Sequence, residues 1–231
     1  SLLLYTADGY AVYDLGTEEM VGGVAFPEDY SGTVRVSEDL SRLVQLYDGE
    51  LRLIELSTGA VLGTRGGYVD RAWQVAVSGE RIAAGKGLYW DGDTRLILWE
   101  RDALEEIAAV GAPDFSATIS DIFFLPGEER FATFASGEDV VKFWNSADGT
   151  AAGEMQFPAA VYGAALSADG TTLAVGYSAM VGIWPLEGNV SLGSFHMDSF
   201  VTAVSVSGDG GRVAACDGFL MVVWDVAAEA E

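Results

Sequence analysis

Six apolar segments along the chain close on a large residue at the same place, and their spacing limits the possible folds more than any other feature. They are Tyr10–Leu15 (YAVYDL), Leu51–Leu56 (LRLIEL), Arg95–Glu100 (RLILWE), Val140–Asn145 (VVKFWN), Met180–Pro185 (MVGIWP) and Leu220–Asp225 (LMVVWD). Aligned on Tyr13, Ile54, Trp99, Trp144, Trp184 and Trp224, they recur at steps of 41, 45, 45, 40 and 40 residues. A second landmark keeps step with the first: Thr33–Leu40, Trp73–Glu80, Asp121–Glu128, Gly163–Gly170 and Ala203–Gly210. Each carries apolar residues two apart (Val34/Val36, Val75/Val77, Ile122/Phe124, Ala164/Leu166, Val204/Val206), an alternation that puts both on one face of a strand. A turn of the Ser-x-Asp-Gly type follows, supplying the side-chain-to-backbone bonds and the positive φ that a hairpin needs.

A fixed period in the forties with several period-2 strands inside it marks the blades of a β-propeller. The expected fold class is therefore all-β: a β-propeller of four-stranded antiparallel blades. Six blades are visible from the sequence, the first and last incomplete, and seven are possible. The strand map begins with three strands (Leu2–Thr6, Tyr10–Leu15, Met20–Phe26). Four full blades follow, with inner strands starting near Thr33, Ala72, Ile119 and Val161, and a final three-stranded set runs from Val201 to Val226. That makes 22 strands, one inner and one outer strand short of six complete blades. Residues outside this sequence or a seventh blade would complete the ring, since an exposed edge invites aggregation. At 231 residues, 50% of them hydrophobic, the chain can bury a large core, and one domain spanning residues 1–231 is expected.

The pattern resembles the WD40 repeat over nearly the whole chain: apolar-x-apolar, Ser-x-Asp-Gly, a second apolar strand, then a third ending in Trp-Asp. Trp224-Asp225 is the literal pair, Tyr13-Asp14 comes near it, and Glu55, Glu100, Asn145 or Pro185 stands in the second position elsewhere. The family's Gly-His before the first strand survives at most as His196, the one histidine of the chain. The buried His–Ser/Thr–Asp–Trp network of well-formed repeats therefore cannot recur from blade to blade, and apolar packing must carry more of the stability. The resemblance implies that the loops leading from one blade to the next share a face with the hairpins joining the second and third strands of each blade, and that this face holds partners.

Charge removes several functional classes. The net charge is −23, from 35 acidic and 12 basic residues, and such a surface repels phosphate backbones and anionic headgroups. Nucleic acid is not an expected partner. No membrane insertion is expected, because no run approaches the ~18 apolar residues of a spanning helix. The first residues, Ser1-Leu2-Leu3-Leu4-Tyr5, lack the basic region and long apolar segment of a secretion signal. Cys216, the single cysteine, lies in an apolar run and is expected as a small buried hydrophobe. It leaves the compartment open, with the cytoplasm as the first expectation.

The residues also argue against catalysis. A Ser–His–Asp arrangement could use only His196, and no Gly-x-Ser-x-Gly elbow is present, although a nucleophilic hydrolase needs both a base and a strained turn. A zinc site would need clustered His and Cys, and the chain offers one of each. Asp91 and Asp93 stand in a Gly-containing turn without the further oxygen ligands calcium requires. No cofactor and no metal are expected.

The remaining candidates lie on loops, where function usually sits on a rigid scaffold. Trp99, Trp144, Trp184 and Trp224 are expected to pack between blades, and Trp73 shares the apolar parity of Val75 and Val77. Tyr89 and Trp90 lie in an insertion, residues 86–94, where they either anchor a partner or pack on their own blade. The inter-blade connections carry Tyr30, Arg65, Tyr68, Arg71, Phe115, His196 and Phe200, either as a binding face or as plugs for the blade ends. Arg65, Tyr68 and Arg71 together suit an acidic segment, unless nearby carboxylates neutralise them. The expected function is a non-catalytic scaffold that binds a protein or peptide partner on its loop face, within a larger complex. The alternative is a propeller enzyme or small-ligand binder with a site at the central channel.

Overall fold

The computed structural model describes residues 2–6, 9–14, 16–25, 33–37, 39–47, 49–66, 72–86, 95–111, 118–127, 129–135, 137–186, 188 and 191–227. Among them are 22 strands in six antiparallel sheets, and no helix is long and apolar enough to cross a membrane. Every pairing joins strands consecutive in the chain, as short turns between alternating strands dictate. Internal contacts divide the chain into two compact units, Ser1–Asp114 with Ser146–Gly149, and Phe115–Asn145 with Thr150–Glu231.

The first unit begins with a three-stranded sheet, β1 (Leu2–Thr6), β2 (Gly9–Tyr13) and β3 (Met20–Ala25). Two four-stranded sheets follow. One is β4 (Thr33–Val36), β5 (Arg42–Tyr47), β6 (Glu50–Glu55) and β7 (Val61–Arg65), and the other is β8 (Ala72–Val77), β9 (Arg81–Lys86), β10 (Arg95–Glu100) and β11 (Glu106–Gly111). Val12 packs with Val34, Leu43, Ile54 and Leu56. Val44, Leu51 and Leu53 pack with Val75, Ile82 and Trp99. Each such side chain contributes about 1.5–3 kcal/mol of transfer free energy, so these inter-sheet clusters dominate the stability of the unit.

The turn between β4 and β5 is closed by side chains. Ser37 Oγ donates to Asp39 Oδ1 (2.5 Å) and accepts from the Arg42 amide (3.0 Å). Arg101 lies 3.5 Å from Asp39 and 3.0 Å from Asp102. Burial pushes the Asp39 carboxyl up, but the hydrogen bonds from Ser37 and Ser41 and the charge of Arg101 outweigh it and hold the pKa at about 2.

The second unit holds two four-stranded sheets and a final three-stranded one. They are β12 (Ile119–Phe124), β13 (Arg130–Ala135), β14 (Val140–Asn145) and β15 (Ala151–Gln156); β16 (Val161–Leu166), β17 (Thr172–Tyr177), β18 (Met180–Pro185) and β19 (Gly193–His196); and β20 (Ala203–Val206), β21 (Arg212–Cys216) and β22 (Met221–Asp225). One apolar cluster joins the first two sheets through Phe134, Val141, Phe143, Met155, Leu173 and Trp184. Another joins the last two through Val181, Ile183, Phe195, Val201 and Val213, with Trp224 packed against it.

The inner strands β4, β8, β12 and β16 begin at the residues the alternation predicts. Trp99, Trp144 and Trp184 are buried as expected, and Trp224 is half-buried and stacks on Phe195 with ring centroids 4.9 Å apart. Two expectations need correction. The last inner strand starts at Ala203 rather than Val201, because Val201 leaves the ladder to donate its amide to Ser178 O (2.8 Å) and fill the core. Cys216 is only part-buried, since it ends β21 beside a turn whose Gly218 amide meets its sulfur at 3.2 Å.

Candidate functional site

The clearest exposed constellation lies in the second unit, where β16 begins and where the β19–β20 connection runs. Met197 and Val201 are buried in that connection and bonded through their amides to Ala179 O and Ser178 O (2.9 and 2.8 Å). Pinning these two residues inward throws the side chains of His196, Asp198, Phe200 and Thr202 outward. Gly176 makes the seating of Val201 possible, for a Cβ there would come within 2.4 Å of a Val201 methyl. Phe200 is consequently 61% exposed.

Its partner is Tyr162. Val161 and Gly163 are buried on either side of it, and the register of β16 against β17 slips between Val161 and Gly163. Two residues of β16 then face one of β17 (a β-bulge), which re-aims the side chain at the slip. Tyr162 is 42% exposed, and its ring meets Phe200 edge to face, at 77° with centroids 6.1 Å apart. Large apolar rings held together in water are unusual unless something covers them, and aromatic residues are enriched as interface anchors. The sequence pattern misses Tyr162 because it shares the parity of Ala164 and Leu166, which points it to their face until the bulge intervenes. Trp73 stands at the corresponding slip in β8, between Ala72 and Gln74, though its side chain lies outside the described residues.

Of the sequence candidates, Phe200 and His196 share the β19–β20 region. His196 is exposed at the end of β19 opposite Met180, so it belongs to no buried network. Arg65 ends β7 in the first unit, exposed, with Nε donating to Leu104 O at 2.8 Å. That bond ties β7 to the turn between β10 and β11. Tyr30, Tyr68, Arg71, Tyr89, Trp90 and Phe115 lie outside the described residues, as do Asp91 and Asp93.

A polar cleft of about 430 Å³ opens in the second unit between the β12–β13 and β16–β17 turns, lined by Pro126, Glu129, Arg130, Asp169 and Thr171 among others. Its chemistry is that of a turn. Asp169 accepts from Ser167 Oγ (2.6 Å) and from the amide and hydroxyl of Thr171 (3.0 and 2.9 Å), and these bonds hold its carboxyl below the usual range. A carboxylate kept ionised in this way is a poor general acid. Among the described residues no three His, Cys, Asp or Glu side chains are grouped so as to hold a metal ion.

The repeated antiparallel sheets and the likeness to solved structures show the fold: an all-β propeller. One chain of the crystal structure of the Mitotic Checkpoint Complex superposes with a TM-score of 0.72 at 17% sequence identity, covering 96% of this chain and 69% of that one. In all, 1406 solved chains match, a breadth that identifies a fold and leaves the choice of function to the site. No family model and no curated protein matches the sequence.

Proposed function

We propose that this chain is a non-catalytic interaction scaffold, holding a protein or peptide partner on the loops that lead from one sheet to the next, within a larger assembly. The observation that carries the reading is the exposed Tyr162–Phe200 pair, presented by a backbone pinned on both sides. The checkpoint-complex chain belongs by its title to a multi-protein assembly, which supports the same reading. His196 flanks the pair and would add a polar contact. Tyr30, Arg65, Tyr68, Arg71 and Phe115 on these connections, and Tyr89 and Trp90 in the insertion between β9 and β10, are proposed as further contact positions. Arg65 has its tether to Leu104 O as a structural role in addition.

Panning a displayed random-peptide library tests the anchor directly. Peptides enriched on the native protein should be lost on the double variant Tyr162→Ser, Phe200→Ser, with the melting temperature unchanged, because neither ring fills the core. Equal enrichment on both proteins would place the binding surface elsewhere, and no enrichment on either would sink the peptide-binding reading.

A further inference from the structure

Four arginines hold the same place in the repeat, and one of them lacks the partners of the others. Arg42, Arg81, Arg130 and Arg212 are the first residues of β5, β9, β13 and β21. Across the ladder Arg42 stands opposite Glu55, Arg81 opposite Glu100 and Arg212 opposite Asp225, whereas Arg130 stands opposite Asn145. Opposite charges facing across a ladder stabilise each other, and Asn145 carries none. Its amide donates instead to Thr150 Oγ1 at 2.8 Å. In the first unit the matching side chains are also tied down, with Arg42 lying 3.5 Å from Asp102 and Arg81 donating to Ser146 O at 3.2 Å. Among the described residues the Arg130 guanidinium makes no hydrogen bond and no ion pair, and it lines the polar cleft of the second unit.

The cleft is held open by fixed elements. The β12–β13 and β16–β17 turns touch where a Cβ on Gly170 would lie 3.0 Å from Pro126 Cγ. The Leu186 amide donates to Thr171 O at 2.9 Å, which locks the chain leaving β18 onto the second turn. Pro126 and Pro185 add walls with little conformational freedom to lose on binding. The volume of about 430 Å³ lies in the range of small-ligand sites, roughly 300–1,000 Å³. Two carboxylates share the cleft with Arg130. Glu129 is exposed and without a hydrogen bond among the described residues. The bonds that Asp169 accepts from Ser167 and Thr171 all end on Oδ1, which leaves Oδ2 available. A lone anion entering here meets two carboxylates, and a lone cation meets the guanidinium. A ligand carrying both charges finds a partner for each.

We propose that this cleft binds a free α-amino acid with an apolar side chain. The carboxylate sits on Arg130, whose planar fork matches it with two parallel hydrogen bonds. The ammonium sits on Glu129 and Asp169, and the side chain packs on Pro126, Pro185 and Leu186. No group in the cleft is placed to break a bond in such a ligand, so the site binds and does not transform. It is separate from the Tyr162–Phe200 pair, and the two proposals stand or fall independently.

Titration calorimetry of the whole chain with L-leucine should show one saturable site. Leucine methyl ester lacks the carboxylate and N-acetyl-leucine lacks the ammonium. Each should bind more weakly on the order of tenfold, the worth of one charge-assisted hydrogen bond. Glycine, without the apolar contact, should bind more weakly as well. Arg130→Gln removes the guanidinium, and Asn145→Asp gives it the facing carboxylate that its three counterparts have. Both should weaken leucine on the order of tenfold and leave the melting temperature unchanged, while Arg212→Gln should bind leucine as the native chain does. If Arg130→Gln melts early, Asn145→Asp, which keeps the arginine, decides. The proposal is overturned if leucine does not saturate the chain, or if Asn145→Asp binds it with native affinity. Equal binding of the methyl ester would overturn it in favour of a cation site made by the carboxylates alone, and equal binding of N-acetyl-leucine in favour of a simple anion site on Arg130.

Discussion

The sheets β12–β15 and β16–β19 have the same strand order and pack on each other, yet each keeps a different one of two polar clamps. In the first, Trp144 Nε1 donates to Thr133 Oγ1 at 2.9 Å, with both residues buried. In the second, the indole stands in the same register, Trp184 opposite Leu173 as Trp144 is opposite Phe131. Val175 replaces Thr133 there, and Trp184 Nε1 is buried without a hydrogen-bond partner. The turns show the reverse. Ser167 closes the β16–β17 turn by donating to Asp169 and accepting the Thr172 amide (3.0 Å), whereas the β12–β13 turn has Leu125, Pro126 and Gly127 at those positions, with Gly127 at φ 84°. A divergent repeat can therefore shed either clamp, provided the apolar cluster shared by the two sheets is kept. An orphaned buried N–H costs roughly 1–3 kcal/mol, less than the cluster supplies.

Replacing each indole tests the comparison most strongly. Trp144→Ala and Trp184→Ala should each cost ~3–5 kcal/mol, the usual loss for a buried large aromatic. Substitution by phenylalanine should separate them. Trp144→Phe strands the Thr133 hydroxyl and should lose about 1–3 kcal/mol beyond the packing change, while Trp184→Phe removes a polar group that had no partner. Urea midpoints that fall equally for the two phenylalanine variants would mean that the hydrogen bond does not distinguish the sheets.

A smaller effect comes from restoring the missing acceptor. Val175→Thr offers Trp184 a hydroxyl at the position of Thr133 and should raise stability by up to about 1 kcal/mol. The indole now leans over Gly182, where a Cβ would lie 2.6 Å from Nε1, although Lys142 occupies the matching place in the other sheet. Gly182→Ala should consequently destabilise the native chain, and should cost less in the Val175→Thr background if the indole has swung to its new acceptor. Strict additivity in that double-mutant cycle would show that it has not moved.

Acid sharpens the comparison of the turns, with the smallest effect. The Asp169 carboxyl is held below its ordinary pKa of 3.8 by hydrogen bonds from Ser167 and Thr171. A depressed folded-state value adds stability that is present above the unfolded value and is lost as pH falls through the folded one. Thermal stability should therefore decline below about pH 4, and Asp169→Asn should flatten part of that decline. Asp39, at about 2, and Asp209 and Asp217, both lowered, act in the same direction. An acid limb unchanged by Asp169→Asn would leave the turn carboxylate without energetic consequence.

The order and class of the strands could be read from the chain alone, because hydrophobic period and turn chemistry are local. The step between Trp99, Trp144, Trp184 and Trp224 and the starts of β4, β8, β12 and β16 follow from residue spacing. Phe200 could be placed on a connection for the same reason, whereas His196, expected on the same connection, is the last residue of β19. What local pattern could not decide was direction and partnership. A single bulge at Tyr162 reverses the face that alternation assigns to it, and bulges depend on how two strands meet. Arg65 acquires its bond to Leu104 O only when β7 lies beside the β10–β11 turn. Trp144 and Trp184 look alike in sequence, and only the residue brought across from the neighbouring strand, Thr133 or Val175, makes one indole satisfied and the other orphaned. Met221 has the same apolar character as Val181, yet Val181 is buried and Met221 exposed, because among the described residues β22 pairs only with β21 while β18 also carries β19. Burial is set by what packs against a residue, and that is a property of the assembled structure.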